Sequence, residues 1–248
     1  MSGHSKWAKI KRAKGAVDAK RGQMHSKLTR EINIAAHIGG GDIEANPRLR
    51  AAVLKARGFN MSRDTIDNAI KKGVGELKDG NYEELIYEAY APGGIAVFIE
   101  VLTDNKNRTV SNIRNILTKA GGQLAVSGSV AWLFKRQGFI VLDGKEYTED
   151  MITELAIEGG AEDVSLTEEL IEITTAPDDF ETVLQVIKDR EFRTLSAEIE
   201  MVPETEISLD QDATIRVIKL LDRLEENDDV QNVYSNLAYN LNPDRNYE

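Results

Sequence analysis

Apolar residues recur at intervals of three and four up to residue 73, and from about residue 84 onward alternating or continuous runs are interspersed with such intervals. This change of period divides the chain before any other property does. Met24, Leu28, Ile32, Ala35 and Ile38 form one helical stripe that Gly39-Gly40-Gly41 stops, and Lys27 and Arg30 fall off it. A second helix opens at Asn46-Pro47, a capping residue followed by the proline that a first turn tolerates, and closes at Gly58. A third begins near Ser62, buries Ile66, Ala69 and Ile70, and ends at Gly73. Residues 17–75 therefore read as a three-helix bundle, followed by a linker, ELKDGNY, with a turn-forming Asp79-Gly80.

Past the linker, ELIYEAYAP reads as a strand. Ile95, Val97, Ile99 and Val101 on one parity, with Ala96, Phe98 and Leu102 on the other, read as an interior strand covered on both faces. The polar loop TDNKNRT leads into a helix with Val110, Ile113, Ile116 and Leu117, and VAWLFKR reads as the next strand. Residues 138–202 then run strand GFIVL, helix EDMITELAIEG, strands DVSLT and LIEITT, helix DDFETVLQVIKD, strand LSAEIEMV. That order, βαββαβ, is ferredoxin-like, and Thr148 and the Asp178-x-x-Glu181 box supply its helix starts. A last helix with Ile215, Ile218, Leu221 and Leu224 inward precedes a short strand around NVYSNLAY. The expected fold is α+β and multidomain: an N-terminal three-helix bundle plus two α/β domains, the ferredoxin-like one inserted in the other. The boundaries are a basic arm at 1–16, the bundle at 17–75, a discontinuous α/β domain at 81–135 with 205–248, and the insert at 136–204.

The 248 residues carry a formal net charge of -11, yet the first thirty hold nine Lys or Arg against one acid, Asp18. Residues 1–75 hold sixteen basic and six acidic side chains, and residues 76–248 hold fifteen and thirty-six. The acidic part reads as solvated faces or as a docking surface for a basic partner. With no cysteine, disulfides, thiolate zinc sites and thiol nucleophiles are excluded. The most apolar run, GGIAVFIEVL, is interrupted by Glu100 and is too short to span a bilayer, so no membrane role is expected and the expected location is the cytoplasm.

Catalytic constellations are missing from the sequence. His4, His25 and His37 have no metal-ligand spacing to carboxylates. Gly138 to Gly144-Lys145 misses P-loop spacing by one residue and places Glu146 where a hydroxyl should hold magnesium. No G-x-S-x-G occurs, and Asp178-Asp179 and Asp228-Asp229 fall at a helix start and in a turn, where negative charge has structural uses. The expectation is a non-enzyme with no cofactor, no metal and no small-molecule substrate.

Lys6, Lys9, Lys11, Arg12, Lys14, Lys20 and Arg21 are spread through a Gly- and Ala-containing stretch with few apolar residues, the composition of an arm that orders on phosphates. Trp7, between Lys6 and Lys9, either stacks on a base or anchors the arm on the bundle. Lys27 and Arg30 extend the same positive charge onto the first helix. The helix pair at 47–72 permits a helix-turn-helix, but Asp64 and Asp67 sit where a recognition helix would meet base edges. The inserted unit has Phe139 but lacks the other stacking aromatics of an RNA-recognition sheet. Phosphate binding without strong base readout remains, to DNA or to ribosomal RNA. An acidic scaffold for a basic protein partner is the alternative.

GHSKWAKIKRAKGAVDAKRGQMHSKLTREI, NPRLRAAVLKARGFNMSRDTIDNAIKKG, TDNKNRTVSNIR and KAGGQLAVSGSVAWLFKR together resemble the YebC family, and the likeness runs the length of the chain. The resemblance implies a helical bundle with two α/β domains, one inserted in the other, and a non-enzymatic cytoplasmic role. Bacterial members are labelled probable DNA-binding transcriptional regulators. Mitochondrial relatives are translational activators for cytochrome c oxidase, and bacterial relatives are linked to relief of ribosome stalling. By position, the resemblance points to the arm and to Asn105, Lys106, Asn107 and Arg108 as nucleic-acid contacts. Helix-start chemistry is the other reading of those four.

Overall fold

The computed structural model describes residues 21–75, 82–167 and 170–238. It is a mixed α+β structure with seven α-helices and two four-stranded antiparallel sheets among those residues. The described residues fall into two compact units, 21–131 with 209–235 and 132–208 with 236–238. None of their helices is long and apolar enough to cross a membrane.

In the first unit, α1 (Arg21–Gly39), α2 (Pro47–Gly58) and α3 (Arg63–Gly73) enclose a core of Leu28, Ile32, Ala35, Leu49, Val53, Ala56, Met61 and Ile66. Asn46 explains why the α1–α2 turn is tight. Its Oδ1 accepts from the N–H of Leu49 at 3.1 Å, while its Nδ2 donates to the carbonyls of Ala35 and Gly40, both at 2.8 Å. One buried amide thus caps α2 and ties off the end of α1. Gly73 lets α3 approach α1: a Cβ there would stand 2.3 Å from the carbonyl oxygen of Asn33. Ile38, expected inside, is 62% exposed, and Ala36 is buried instead. The last turn of α1 packs through Ala36, beside Gly73, and Gly39, beside Asn46, and Ile38 lies outside those contacts.

The first sheet, ordered β3-β1-β2-β8, joins β1 (Glu83–Ala91), β2 (Ile95–Thr103), β3 (Gln123–Leu124) and β8 (Val230–Ser235). β2 is interior, and all its positions but Glu100 are buried. α4 (Lys106–Lys119) and α7 (Gln211–Glu225) lie side by side and pack on this sheet. The inward stripe of α7 is Thr214, Val217, Leu221 and Leu224 with Leu220, while Ile215 and Ile218 are only half-buried. The helix is rotated from the expected stripe because neighbours on two sides, β8 and α4, set its facing.

The second unit contains β4 (Phe134–Asp143), α5 (Glu149–Glu158), β5 (Ala161–Thr167), β6 (Leu170–Thr175), α6 (Phe180–Asp189) and β7 (Thr194–Pro203), with sheet order β5-β6-β4-β7. Both helices cover the face bearing Ile140, Leu142, Ile171 and Ile173. Two expectations change here. VAWLFKR and GFIVL are not separate strands: residues 131–133 form a 3-10 turn, and one strand runs from Phe134 through Gly138 to Asp143. Gly138 does not break it, because the space a side chain would need is filled by Thr175 and Phe180, and β7 pairs along most of its length. The helix after Asp178 begins one residue later than the box implies, with Asp179 at the cap and no side-chain capping bond. Thr148 caps α5 as expected, accepting from the N–H of Met151 at 3.4 Å.

Candidate nucleic-acid interface

Lys6, Trp7, Lys9, Lys11, Arg12, Lys14 and Lys20 lie outside the described residues, and Arg21 is the first residue of α1. The remaining expected contacts are carried by two helices, α1 with Lys27 and Arg30, and α4, which starts at Asn105–Arg108.

On α1, Gln23, Lys27 and Arg30 are four and three residues apart and so share an edge. That edge meets the C-terminal end of α7, where carbonyls have no partner further along the helix. Gln23 donates to the carbonyl of Glu226, Lys27 Nζ to that of Glu225 at 2.8 Å, and Arg30 to that of Asp228. Cations at the negative end of a helix dipole are favoured there. Lys27 is therefore a half-buried cap of another helix, and Arg30 a half-buried partner of the turn that follows that helix.

At the start of α4, Asn105 is the N-cap: its Oδ1 accepts from the N–H of Arg108 at 3.0 Å. Its own N–H donates to Thr103 Oγ1 at 2.9 Å, so the segment read as a loop is a capped first turn. Lys106 and Asn107 are exposed. Arg108 turns back and donates to Asp104 Oδ1 at 2.8 Å and to both carboxylate oxygens of Asp229, at 3.1 and 3.0 Å. Hydrogen bonds donated to Asp229, then to Asp104, hold the Arg108 guanidinium above the ordinary arginine value despite some desolvation. Asp229 is 4% exposed. It also accepts from Thr109 Oγ1 at 2.7 Å and pairs with Arg30 at 3.5 Å.

Two expected contacts from distant parts of the chain, Arg30 and Arg108, thus converge on one buried carboxylate at the side of an open cleft of about 510 Å³. Asp104, Glu226, Asp228 and Asp229 also line it, so the acids outnumber the arginines and the cleft itself does not attract phosphate. All four residues of the α4 set are exposed, but the side chains of Asn105 and Arg108 are engaged within the chain, the first with the N–H of Arg108 and the second with Asp104 and Asp229.

The profile for the TACO1/YebC protein N-terminal domain matches residues 5–76, and that for the TACO1/YebC second and third domain matches residues 82–237. The chain belongs to the TACO1/YebC family. A relative from Treponema denticola, called a probable transcriptional regulatory protein, is 56% identical over 237 residues and 96% of each chain. One of the same description from Treponema pallidum is 54% identical over 236 residues, covering 95% of this chain and 96% of the relative. The crystal structure of a conserved hypothetical protein from Aquifex aeolicus superposes with a TM-score of 0.83 at 44% identity, covering 93% of this chain and 95% of that one.

Two features of this TACO1/YebC chain escaped the reading of its sequence. Asp229 looked like a turn acid, and nothing local marks it as the meeting point of α1 and α4. Helix α2 carries Arg48, Arg50, Lys55 and Arg57 and no acid, a signal that was visible but went unused. Arg48 bonds to Glu31 at 2.8 Å and to Glu84. Those bonds outweigh the desolvation that would lower its pKa and raise it further. Arg50 donates to the carbonyl of Glu44 at 2.8 Å and is half-buried, whereas Arg48, Lys55 and Arg57 are exposed. His25 and His37 contact the carbonyls of Phe59 and Gly73, at 3.0 and 3.3 Å.

Proposed function

We propose that this chain is a non-enzymatic, nucleic-acid-binding regulator of gene expression that acts in the cytoplasm by gripping phosphates. The observation that carries the reading is the concentration of nine cations against one acid in residues 1–30 of a chain whose net charge is -11. The names of the Treponema relatives agree with a regulatory role. Lys6, Lys9, Lys11, Arg12, Lys14, Lys20 and Arg21 make the phosphate contacts, with Trp7 on an exposed base and Lys106 and Asn107 as a second point of attachment. Three domains present them: the helical bundle, and a split α/β domain interrupted by a ferredoxin-like insert. The chain order of β4 to β7 and their sheet order support the last assignment.

The test is fluorescence anisotropy with a labelled RNA hairpin and a labelled DNA duplex over a series of salt concentrations. If about six cations engage duplex phosphates, log affinity falls against log salt with a slope near -5, somewhat less for single strands. Replacing the arm's lysines and arginines with Ala brings the slope near zero if the reading holds; an unchanged slope refutes it. Co-sedimentation with ribosomes, lost on deleting residues 2–21, marks a translational role, and protection of one operator marks a transcriptional one.

A second reading rests on the twenty acidic against six basic residues at positions 132–208. As an acidic scaffold for a basic protein, the chain would keep its function without the arm.

A further inference from the structure

We propose that Asp229 is a positioning residue for nucleic-acid binding: its buried carboxylate locks α1, from whose first residue the basic segment continues in sequence, onto the sheet and α4. The inference rests on the arm's proposed role above.

Four elements meet on this one residue. It immediately precedes β8, and its carbonyl accepts from the N–H of Leu102 on β2 at 2.8 Å. Its carboxylate takes Arg108 and Thr109 from α4 and Arg30 from α1. Its own N–H is held by Asn227 Oδ1 at 2.9 Å, which fixes the turn. A carboxylate this buried is tolerated because cations and a hydroxyl surround it, and removing it strands them.

The consequences differ between the two helices. Arg108 keeps Asp104, and Thr109 keeps Thr103 Oγ1 at 2.8 Å and the carbonyl of Asn105 at 3.0 Å, so α4 holds its place. Among the described residues, Asp229 is the only carboxylate that pairs with Arg30. Without it, Arg30 is left with the carbonyl of Asp228. The helix that loosens is therefore the one leading into the basic segment. A loosened root lowers the effective concentration of the arm at a phosphate track that the rest of the chain has already met.

Bulk electrostatics predicts the opposite sign. Asp229→Asn removes a negative charge from an acidic chain and releases Arg30 from its carboxylate, which by itself strengthens polyanion binding and steepens its salt dependence. Positioning predicts weaker binding, by about tenfold, with the slope retained because the same cations still reach phosphate at a higher entropic cost.

The chain has no cysteine, so Gly22→Cys and Lys119→Cys provide two unique sites for spin labels, one at the start of α1 and one at the end of α4. Both positions are exposed, and a Cβ at Gly22 meets nothing within 4 Å. Pulsed dipolar spectroscopy on the full chain, with and without Asp229→Asn, is paired with the salt-dependent anisotropy of the RNA hairpin. A narrow distance distribution that broadens on substitution, together with about tenfold weaker binding at unchanged slope, supports the proposal. A distribution that stays narrow overturns it, as does broadening with equal or tighter binding. If the unsubstituted chain binds neither hairpin nor duplex, the proposed function fails and the positioning role fails with it, even where the distances show the lock. Should Asp229→Asn not fold by circular dichroism, Arg30→Lys reads the same two quantities while conserving charge toward phosphate.

Discussion

Replacing Glu88 with Gln tests how the loop after β3 is held. Glu88 is in the middle of β1 and 5% exposed. Its Oε1 accepts from the N–H of Gly128 at 2.6 Å, and its Oε2 from those of Val130 at 2.6 Å and Ala131 at 2.9 Å. Burial pushes the carboxyl up, but these backbone donors, with Ser129, outweigh it and hold it below the usual glutamate range. Gln keeps one accepting oxygen and turns an NH2 toward N–H groups, stranding at least one donor and removing charge-assisted bonds. At about 1–3 kcal/mol for an unsatisfied buried group and a similar loss for bonds to a charged acceptor, the expected destabilisation is about 2–4 kcal/mol. For a protein of this size that lowers the melting temperature by roughly 4–16 °C.

The pH dependence follows from the direction of the shift. A carboxyl depressed in the folded state contributes its stability in full above the unfolded value, about 4.3, and loses it as pH falls through the folded value. Gln does not titrate. The gap between the two proteins, measured by urea unfolding, should stay constant from pH 7 to about pH 5 and narrow below about pH 4. A gap under about 0.5 kcal/mol at pH 7, or one that persists undiminished at pH 3, refutes the assignment of the loop to this carboxylate.

Two further substitutions probe the helical part. Gly73→Ala places a Cβ 2.3 Å from the Asn33 carbonyl oxygen, a backbone atom, so α3 must move from α1; urea unfolding should show a loss of about 1–3 kcal/mol or more. Asn46→Ala removes the α2 cap and the amide that serves Ala35 and Gly40, and the same measurement should show about 2–3 kcal/mol, against under about 0.5 kcal/mol for the exposed Asn68→Ala.

Much of the fold was legible because it is decided locally. Asn46, Ser62 and Thr148 bond to backbone N–H groups three residues away, so their capping needs no knowledge of the rest of the molecule. The interior character of β2 was legible from both parities being apolar, which only a strand covered on both faces requires. Ile38, Ile215 and Ile218 were misplaced for the converse reason. Period identifies a helix's apolar arc, but its neighbours decide which part of that arc they cover.

The same division holds at the candidate interface. The sequence by itself determined where positive charge is concentrated, since the charge of Lys and Arg does not depend on folding. It also offered helix-start chemistry as one of two readings of Asn105, because a short amide there reaches the backbone. Only the tertiary structure decided which cations remain for a partner. Arg30 and Arg108 are far apart in the chain, and they meet on Asp229 because α1 docks on the end of α7 beside the start of α4. Coulomb attraction and desolvation depend on distances in space, and no spacing along the chain encodes those.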